Sequence, residues 1–154
     1  MIIDYSVTAA MTFEEWEQTV PECIRLDSLW RMRVYRLGLF LSDLAVADAA
    51  RLLRTPAVRG RVDQLVRASG NISSSIAEGY SRGTGKARAT FYEYSLGSAR
   101  ETRDWYYKCG KGLTTEVRDH RLLIATEVVK LLISMIASER RTNQRLTARL
   151  AVTE

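Results

Sequence analysis

The 154-residue sequence is poor in the residues that build covalent or metal-bound sites, with only two cysteines, one histidine and two prolines. Cys23 and Cys109 lie far apart with no second thiol nearby, which excludes a disulfide framework, a CxxC pair and a zinc knuckle. His120 is the single histidine, so Ser-His or Cys-His catalysis and His-rich metal sites are disfavoured. We therefore expect no metal and no cofactor.

Long hydrophobic runs are also missing. No segment approaches the roughly 20 apolar residues of a membrane span, and the first ten residues, MIIDYSVTAA, lack the basic region and long apolar core of a signal peptide. These two absences predict a cytoplasmic protein without membrane association. Since no run alternates apolar and polar residues, we expect no strand.

The charge is distributed unevenly along the chain. Residues 1–27 carry six acidic side chains against one arginine, whereas the other 127 residues carry 22 basic and 12 acidic side chains. A basic body is typical of proteins with a polyanionic partner. The alternative is a solvated surface held by ion pairs within each helix, and charge alone leaves both open.

Apolar residues at helical spacing predict four helices, near residues 27–54, 62–80, 86–108 and 115–145. Short connections between them predict an all-α fold, an antiparallel up-down four-helix bundle formed by residues 27–154. Residues 1–26 are expected to be a short acidic N-terminal extension, in which Thr12 and Glu15 make the capping box of a small helix. The first long helix has two apolar stripes, which favours coverage of one face by another subunit.

Small residues interrupt the second and third helices. The stretch SSSIAEGYSRG, residues 73–83, and the pair Gly97 and Ser98 are weak helix formers. We expect the helices to continue through them, with the small residues at close helix crossings. In the third helix, the spacing predicts that one face turns to the core, with the residues Phe91, Tyr94, Ser98, Thr102 and Trp105.

The sequence contains no complete catalytic motif. GYSRGTGKA resembles a P-loop, but Tyr80 stands where the first glycine is needed and Ala87 follows Lys86 where Ser or Thr would bind magnesium. Glu78 and Glu93 lack the Glu-x-x-His partners of a di-iron bundle. We therefore expect Glu78 to be a buried structural acid and the protein to be no enzyme.

The basic side chains are the strongest functional signal, because the planar fork of arginine suits phosphate. The candidate nucleic-acid-binding residues form three groups. Each group lies near one end of a predicted helix: Arg31, Arg33, Arg36; Arg59, Arg61, Arg67; and Arg82, Lys86, Arg88. The first and third groups share one end of the predicted bundle, where they form the strongest basic patch.

A family resemblance rests on the motif IAEG, residues 76–79, followed by Arg82, Phe91 and the segment GSARE, residues 97–101. Over about residues 27–140 and without a gap, the sequence resembles the four-helix-bundle family of the 23S rRNA intervening-sequence proteins. Accessory proteins of diversity-generating retroelements share that fold. Ser75 departs from the family pattern, which has asparagine there.

The resemblance implies that Glu78, Gly79, Gly97 and Ser98 form a structural motif rather than a catalytic loop, with Gly79 at a helix end or a tight contact. It also implies a homopentameric ring that binds RNA or an RNA/DNA intermediate and assists a reverse transcriptase. The acidic extension would then dock the partner or mask the basic surface. A ring-forming protein scaffold without a nucleic-acid role is the alternative.

Overall fold

The computed structural model describes residues 11–151, and side chains as far as residue 149; the N-terminal segment MIIDYSVTAA lies outside this part. Six α-helices are present in the described residues: α1 (Phe13–Thr19), α2 (Glu22–Arg25), α3 (Arg33–Leu52), α4 (Val62–Tyr80), α5 (Gly85–Cys109) and α6 (Thr115–Ala151). Short 3-10 turns cover Ser28–Arg31, Arg59–Arg61 and Gly110–Gly112. No strand occurs between residues 11 and 151, and the predicted all-α class is confirmed.

The first long helix begins later than predicted. Asp27 caps a 3-10 turn instead, since its Oδ1 accepts a hydrogen bond from the backbone N–H of Leu29 at 2.8 Å. Met32 then adopts an extended conformation, and α3 starts only at Arg33. The helix ends at Leu52, two residues before the predicted end near Arg54 and ahead of Pro56, whose ring restricts the residue before it.

Helix α4 continues across its weak helix formers, as predicted. Leu65, Ile72 and Ile76 are completely buried along one face. The hydroxyl groups of Ser69 and Ser74 donate back to the carbonyls of Val66 and Gly70, so these side chains are satisfied within the helix. Burial of the apolar face therefore outweighs the low propensity of the serines.

In two of the short connections, a threonine side chain caps the start of the helix that follows. Thr84 Oγ1 accepts a hydrogen bond from the N–H of Ala87 at the start of α5, at 3.2 Å. Thr114 Oγ1 accepts one from Val117 at the start of α6, at 3.3 Å. Helix α6 extends to Ala151, which is longer than the predicted end near residue 145.

The small helix α1 packs against the long helices. Its capping box between Thr12 and Glu15 is present as predicted. Trp16 is only 2% exposed, its ring lies 5.1 Å from that of Phe40, and its Nε1 donates to Asp43 at 2.8 Å. The same core therefore includes a residue from the acidic N-terminal part.

Each long helix packs against the next along the chain, and α3 also meets α6. Two close approaches fix α4 to α5. Ser95 Oγ donates to the carbonyl of Ile72 at 2.9 Å, and a Cβ on Gly79 would lie 2.7 Å from the ring of Tyr92. Gly79 is thus at a tight contact, as the family resemblance implied.

For α5, the expected close crossing at Gly97 is wrong, and the predicted core face is only partly correct. Gly97 is exposed, and nothing lies within 4 Å of the position its Cβ would take, so no helix crosses there within the described chain. Of the predicted core face, Thr102 is fully buried, but Tyr94 is 59% exposed. The buried face carries Tyr92, Ser95 and Tyr106 as well as Thr102. Ser95 faces the core because its hydroxyl donates to a carbonyl of the neighbouring helix α4. The spacing of hydrophobic residues gives no indication of such a polar contact.

Candidate nucleic-acid interface

The start of α3, the end of α4 and the start of α5 lie together, as predicted for the first and third basic groups. Tyr80 donates from its hydroxyl to Ser28 Oγ at 2.9 Å. Arg33 and Arg88 line one open cleft of about 590 Å³. We call this region the α3 start patch, with Arg31, Arg33, Arg36, Arg82, Lys86 and Arg88 as its members.

Within the α3 start patch, Arg88 is neutralised by an ion pair with an acid of α6. This arginine donates from Nε and Nη2 to the two oxygens of Glu139, at 3.0 and 2.9 Å. Its Nη1 also donates to the carbonyl of Arg82 at 3.1 Å. The hydrogen bonds to Glu139 raise the pKa of Arg88, so this guanidinium is committed to a fixed ion pair.

Two arginines of α3 are paired as well. Arg33 Nε donates to Glu127 at 2.9 Å, and Arg36 Nη1 donates to Glu17 at 2.6 Å. Glu17 belongs to α1, so the acidic N-terminal part neutralises one cation of the basic body.

Arg82 lies 4.4 Å from the ring centroid of Phe91 and 4.0 Å from a carboxylate oxygen of Glu78. Four of the six cations in the α3 start patch therefore face an acid, which weakens its field toward a second polyanion. Arg31 and Lys86 have no ion pair within the described residues.

The expectation of a buried Glu78 is wrong. Its side chain is 59% exposed and makes only the long contact with Arg82 one turn later. Among the described residues, the buried acid is Asp48, at 3% exposed, which was not among the predicted site residues. The local sequence indicates the burial of Asp48 only weakly, because the residue is a single acid within the small apolar segment AVADAA, residues 45–50.

Asp48 is held by two donors from other helices. Arg121 donates from Nε to Asp48 Oδ2 at 2.9 Å and from Nη2 to Oδ1 at 3.2 Å, and the Tyr106 hydroxyl donates to Oδ2 at 3.1 Å. Burial, followed by the Asp48 charge, raises the pKa of Tyr106 well above its usual value. Because the acid is satisfied by hydrogen bonds and enclosed by the core, this network has a structural role.

The opposite end of the long helices holds an uncompensated basic surface. The segment from residue 51 to residue 61 contains four arginines and no acid. The turn after α5 packs against this segment, because a Cβ on Gly112 would lie 2.7 Å from Leu52 and 3.2 Å from Val58. We call the exposed cations that meet here the basic end cluster: Arg51, Arg54, Arg59, Arg61 and Lys111.

No member of the basic end cluster forms an ion pair with a carboxylate in the described part of the chain. Asp63 and Glu116 are the exposed acids that neighbour it in sequence. Burial raises the pKa of the Cys109 thiol, and the positive charge of the nearby Arg61 partly lowers that pKa again. The cluster is therefore the larger free positive surface of the two ends.

The structure separates the second predicted group. Arg59 and Arg61 belong to the basic end cluster, whereas Arg67, further along α4, donates to Gln64 and lies 4.0 Å from Glu101. Arg51, Arg54 and Lys111 were not among the predicted binding residues. A count of acids between residues 51 and 61 would have found the two arginines, but Lys111 joins them only through the fold.

Among residues 11–149, no group of three or more His, Cys, Asp or Glu side chains is arranged to hold a metal ion. None of the helices in the described residues has the length and apolar character needed to cross a membrane.

Comparison with known proteins places the chain in a family. Neither the curated proteins nor the solved structures contain a significant match to this chain. The family model described as 23S rRNA-intervening sequence protein matches residues 32–134, which include α3, α4, α5 and the first half of α6. The chain therefore belongs to the 23S rRNA-intervening sequence protein family.

Proposed function

We propose that this protein is a non-enzymatic nucleic-acid-binding protein that holds the phosphate backbone of RNA, or of an RNA/DNA intermediate, on its basic end cluster. The observation that carries the proposal is the group of five exposed cations without a carboxylate partner in the described residues. Free guanidinium groups exchange counterions for phosphates, whereas those already held by Glu139 or Glu127 must first break an ion pair.

The scaffold for this surface is, in the same proposal, an antiparallel up-down four-helix bundle. The contacts of Ser95 with Ile72 and of Gly79 with Tyr92 run in opposite chain directions, which supports an antiparallel α4–α5 pair. The packing of Gly112 on Leu52 supports a common end for the α3–α4 and α5–α6 connections. These connections and the last turn of α3 supply every member of the cluster.

As in the retroelement accessory proteins that the sequence resembles, we further propose a homopentamer that assists a reverse transcriptase. Exposed apolar side chains on α6 support assembly with other copies: Leu123 is 72% exposed and Ile133 is 47% exposed. Light scattering with mass determination tests the ring. A monomer at micromolar concentration contradicts it, and co-purification with the enzyme tests the partner.

A salt titration tests nucleic-acid binding. We expect labelled single-stranded RNA to bind at low salt and to dissociate as salt rises, because binding releases counterions. The variant Arg59→Ala/Arg61→Ala removes two free cations and should lower the slope of log affinity against log salt by about 1.4, at ~0.7 for each phosphate contact on a single strand.

The matched control is Arg33→Ala/Arg82→Ala, which also removes two exposed arginines, but ones that face Glu127 and Glu78. It should leave the slope nearly unchanged. Absence of any binding at low salt rejects the proposal. An equal effect of the two variants shows that the cluster is not the binding surface.

The second candidate is a ring-forming scaffold that binds only proteins. It is favoured by the ion pairs of the α3 start patch together with the exposed Leu123 and Ile133. A stable ring without RNA binding at low salt would select it.

A further inference from the structure

A second surface, on the groove between α5 and α6, combines free cations with an exposed aromatic ring. The groove has a volume of about 450 Å³ and is lined by Arg100, Arg103, Asp104, Tyr107, Leu122 and Thr126. None of these residues is among the site residues predicted from the sequence.

The groove is positive. Arg100 and Arg103 form no ion pair within residues 11–149. The one acid in the lining, Asp104, is already held by Lys108 one turn later. Two guanidinium groups that are not ion-paired therefore line the groove, which is an arrangement suited to an anion.

Tyr107 supplies a flat apolar surface beside these charges. It is 73% exposed and stacks on no other ring in the described part of the protein, whereas the exposed Tyr94 packs edge-on against Phe91 at 5.6 Å. Arg100, Arg103 and Tyr107 are spaced by three and four residues, so they share one face of α5. The rise from Arg103 to Tyr107 is about 6 Å, within reach of the long arginine side chain.

We propose that this groove binds one nucleotide unit of a single-stranded nucleic acid, with the base stacked on Tyr107 and a phosphate between Arg100 and Arg103. A duplex hides the faces of its bases, whereas an unpaired base offers one to an aromatic side chain. Leu122 and Thr126 on α6 form the other wall, with one apolar and one hydroxyl contact. The inference rests on the proposed nucleic-acid binding and specifies a preference for single strands.

The groove also lies close to the basic end cluster. Tyr107 is two residues before the end of α5, and Lys111 of the cluster follows in the next turn. A strand whose phosphates lie on the cluster therefore continues into the groove, and the two surfaces act on one ligand.

The test compares Tyr107→Ala with Tyr94→Ala, an exposed tyrosine on the same helix that lies outside the groove lining. Affinity is measured at fixed salt for a single-stranded RNA and for its duplex. We expect Tyr107→Ala to weaken single-strand binding about tenfold, because it removes one stacking platform. Duplex binding should be unchanged, Tyr107→Phe should bind like the native protein, and Tyr94→Ala should change little.

An oligonucleotide with a single 2-aminopurine gives a direct signal, since stacking of this base quenches its fluorescence. Quenching by the native protein and by Tyr107→Phe, but not by Tyr107→Ala, supports the proposal. Equal affinities of Tyr107→Ala and native protein overturn it, as does a loss that is the same for duplex RNA. A fall in the mass of the assembly on Tyr107→Ala assigns the groove to a protein contact instead.

The two proposals fail in different ways. If the native protein binds no nucleic acid at low salt, the proposed function is rejected. If the native protein binds RNA but Tyr107→Ala binds it equally well, the proposed function stands and the single-strand groove is rejected.

Discussion

Asp48 and Arg121 form a two-pronged ion pair across 73 residues of sequence, with both side chains at most 3% exposed. Buried charges of this kind are stable only while both members and their hydrogen bonds are present. Here the hydroxyl of Tyr106 donates the third bond, so the network joins α3, α5 and α6.

Asp48→Ala should therefore lower the free energy of unfolding by ~3–5 kcal/mol, because Arg121 would keep its charge in the core without this carboxylate. Urea denaturation measures the loss. Asp104→Ala is the control: it removes the acid of an exposed pair with Lys108 and should cost less than about 1 kcal/mol. Equal costs for the two variants contradict the assignment.

A combined variant tests the same network as a unit. The substitutions Asp48→Leu, Arg121→Leu and Tyr106→Phe, made together, remove both charges and the hydroxyl that bonds to them. No charged group of the network then stays buried without its partner, so the triple variant should recover much of the stability that Asp48→Ala loses. A triple variant less stable than Asp48→Ala would show that the network contributes more than its burial costs.

Gly79 and Gly97 should respond in opposite directions to alanine. A Cβ at Gly79 would lie 2.7 Å from the ring of Tyr92 and 3.0 Å from Phe91, so Gly79→Ala should destabilise the protein by ~1–3 kcal/mol. Gly97→Ala meets no atom within 4 Å and should stabilise α5 by ~0.5–1 kcal/mol. Thermal denaturation distinguishes them. Destabilisation by Gly97→Ala would mean that another subunit packs there.

His120 should make stability depend on pH. Burial and then the charge of Arg121 lower its pKa below the usual 6.5, while Asp48 opposes them. Because the unfolded chain binds a proton at higher pH than the folded one, the contribution of His120 is present above about pH 6.5 and is lost as pH falls toward the folded pKa. We expect the unfolding free energy to decrease over that window.

The control is His120→Asn, which removes the only histidine of the chain and should flatten this part of the profile. Urea unfolding at a series of pH values measures both proteins. Parallel profiles for the two would show that His120 does not cause the dependence.

Trp16 should be essential to stability although it precedes the four long helices. Trp16→Ala removes a ring packed on Phe40 and the hydrogen bond to Asp43, and should cost ~3–5 kcal/mol. Trp105→Ala is the control, because that side chain is only half-buried. If Trp16→Ala has no effect on the melting temperature, residues 13–19 do not belong to the core.

The existence of the long helices was readable from the sequence, because apolar residues recur along each at the helical period. The continuity of α4 through its serines was predicted for the same reason. The start of α3 was misplaced: Asp27 is a good capping residue in any short turn, and capping chemistry does not distinguish a 3-10 turn from an α-helix.

Which side chains turn inward was less predictable where polar groups are concerned. Ser95 and Asp48 are buried because each meets a partner on another helix, Ile72 for the first and Arg121 for the second. Glu78 is exposed and meets only Arg82 of the following turn. A partner on another helix is absent from the local sequence, so periodicity gives no signal for it.

The sequence by itself determined the helical class and, through the spacing of IAEG and GSARE, the family to which residues 32–134 belong. Only the tertiary structure decided which cations remain free. Arg88 meets Glu139 across 51 residues and Arg33 meets Glu127 across 94, whereas the cations of residues 51–61 meet no acid in the described chain. The reason is physical: helix formation depends on neighbours within a few residues, but electrostatic compensation depends on distance in space.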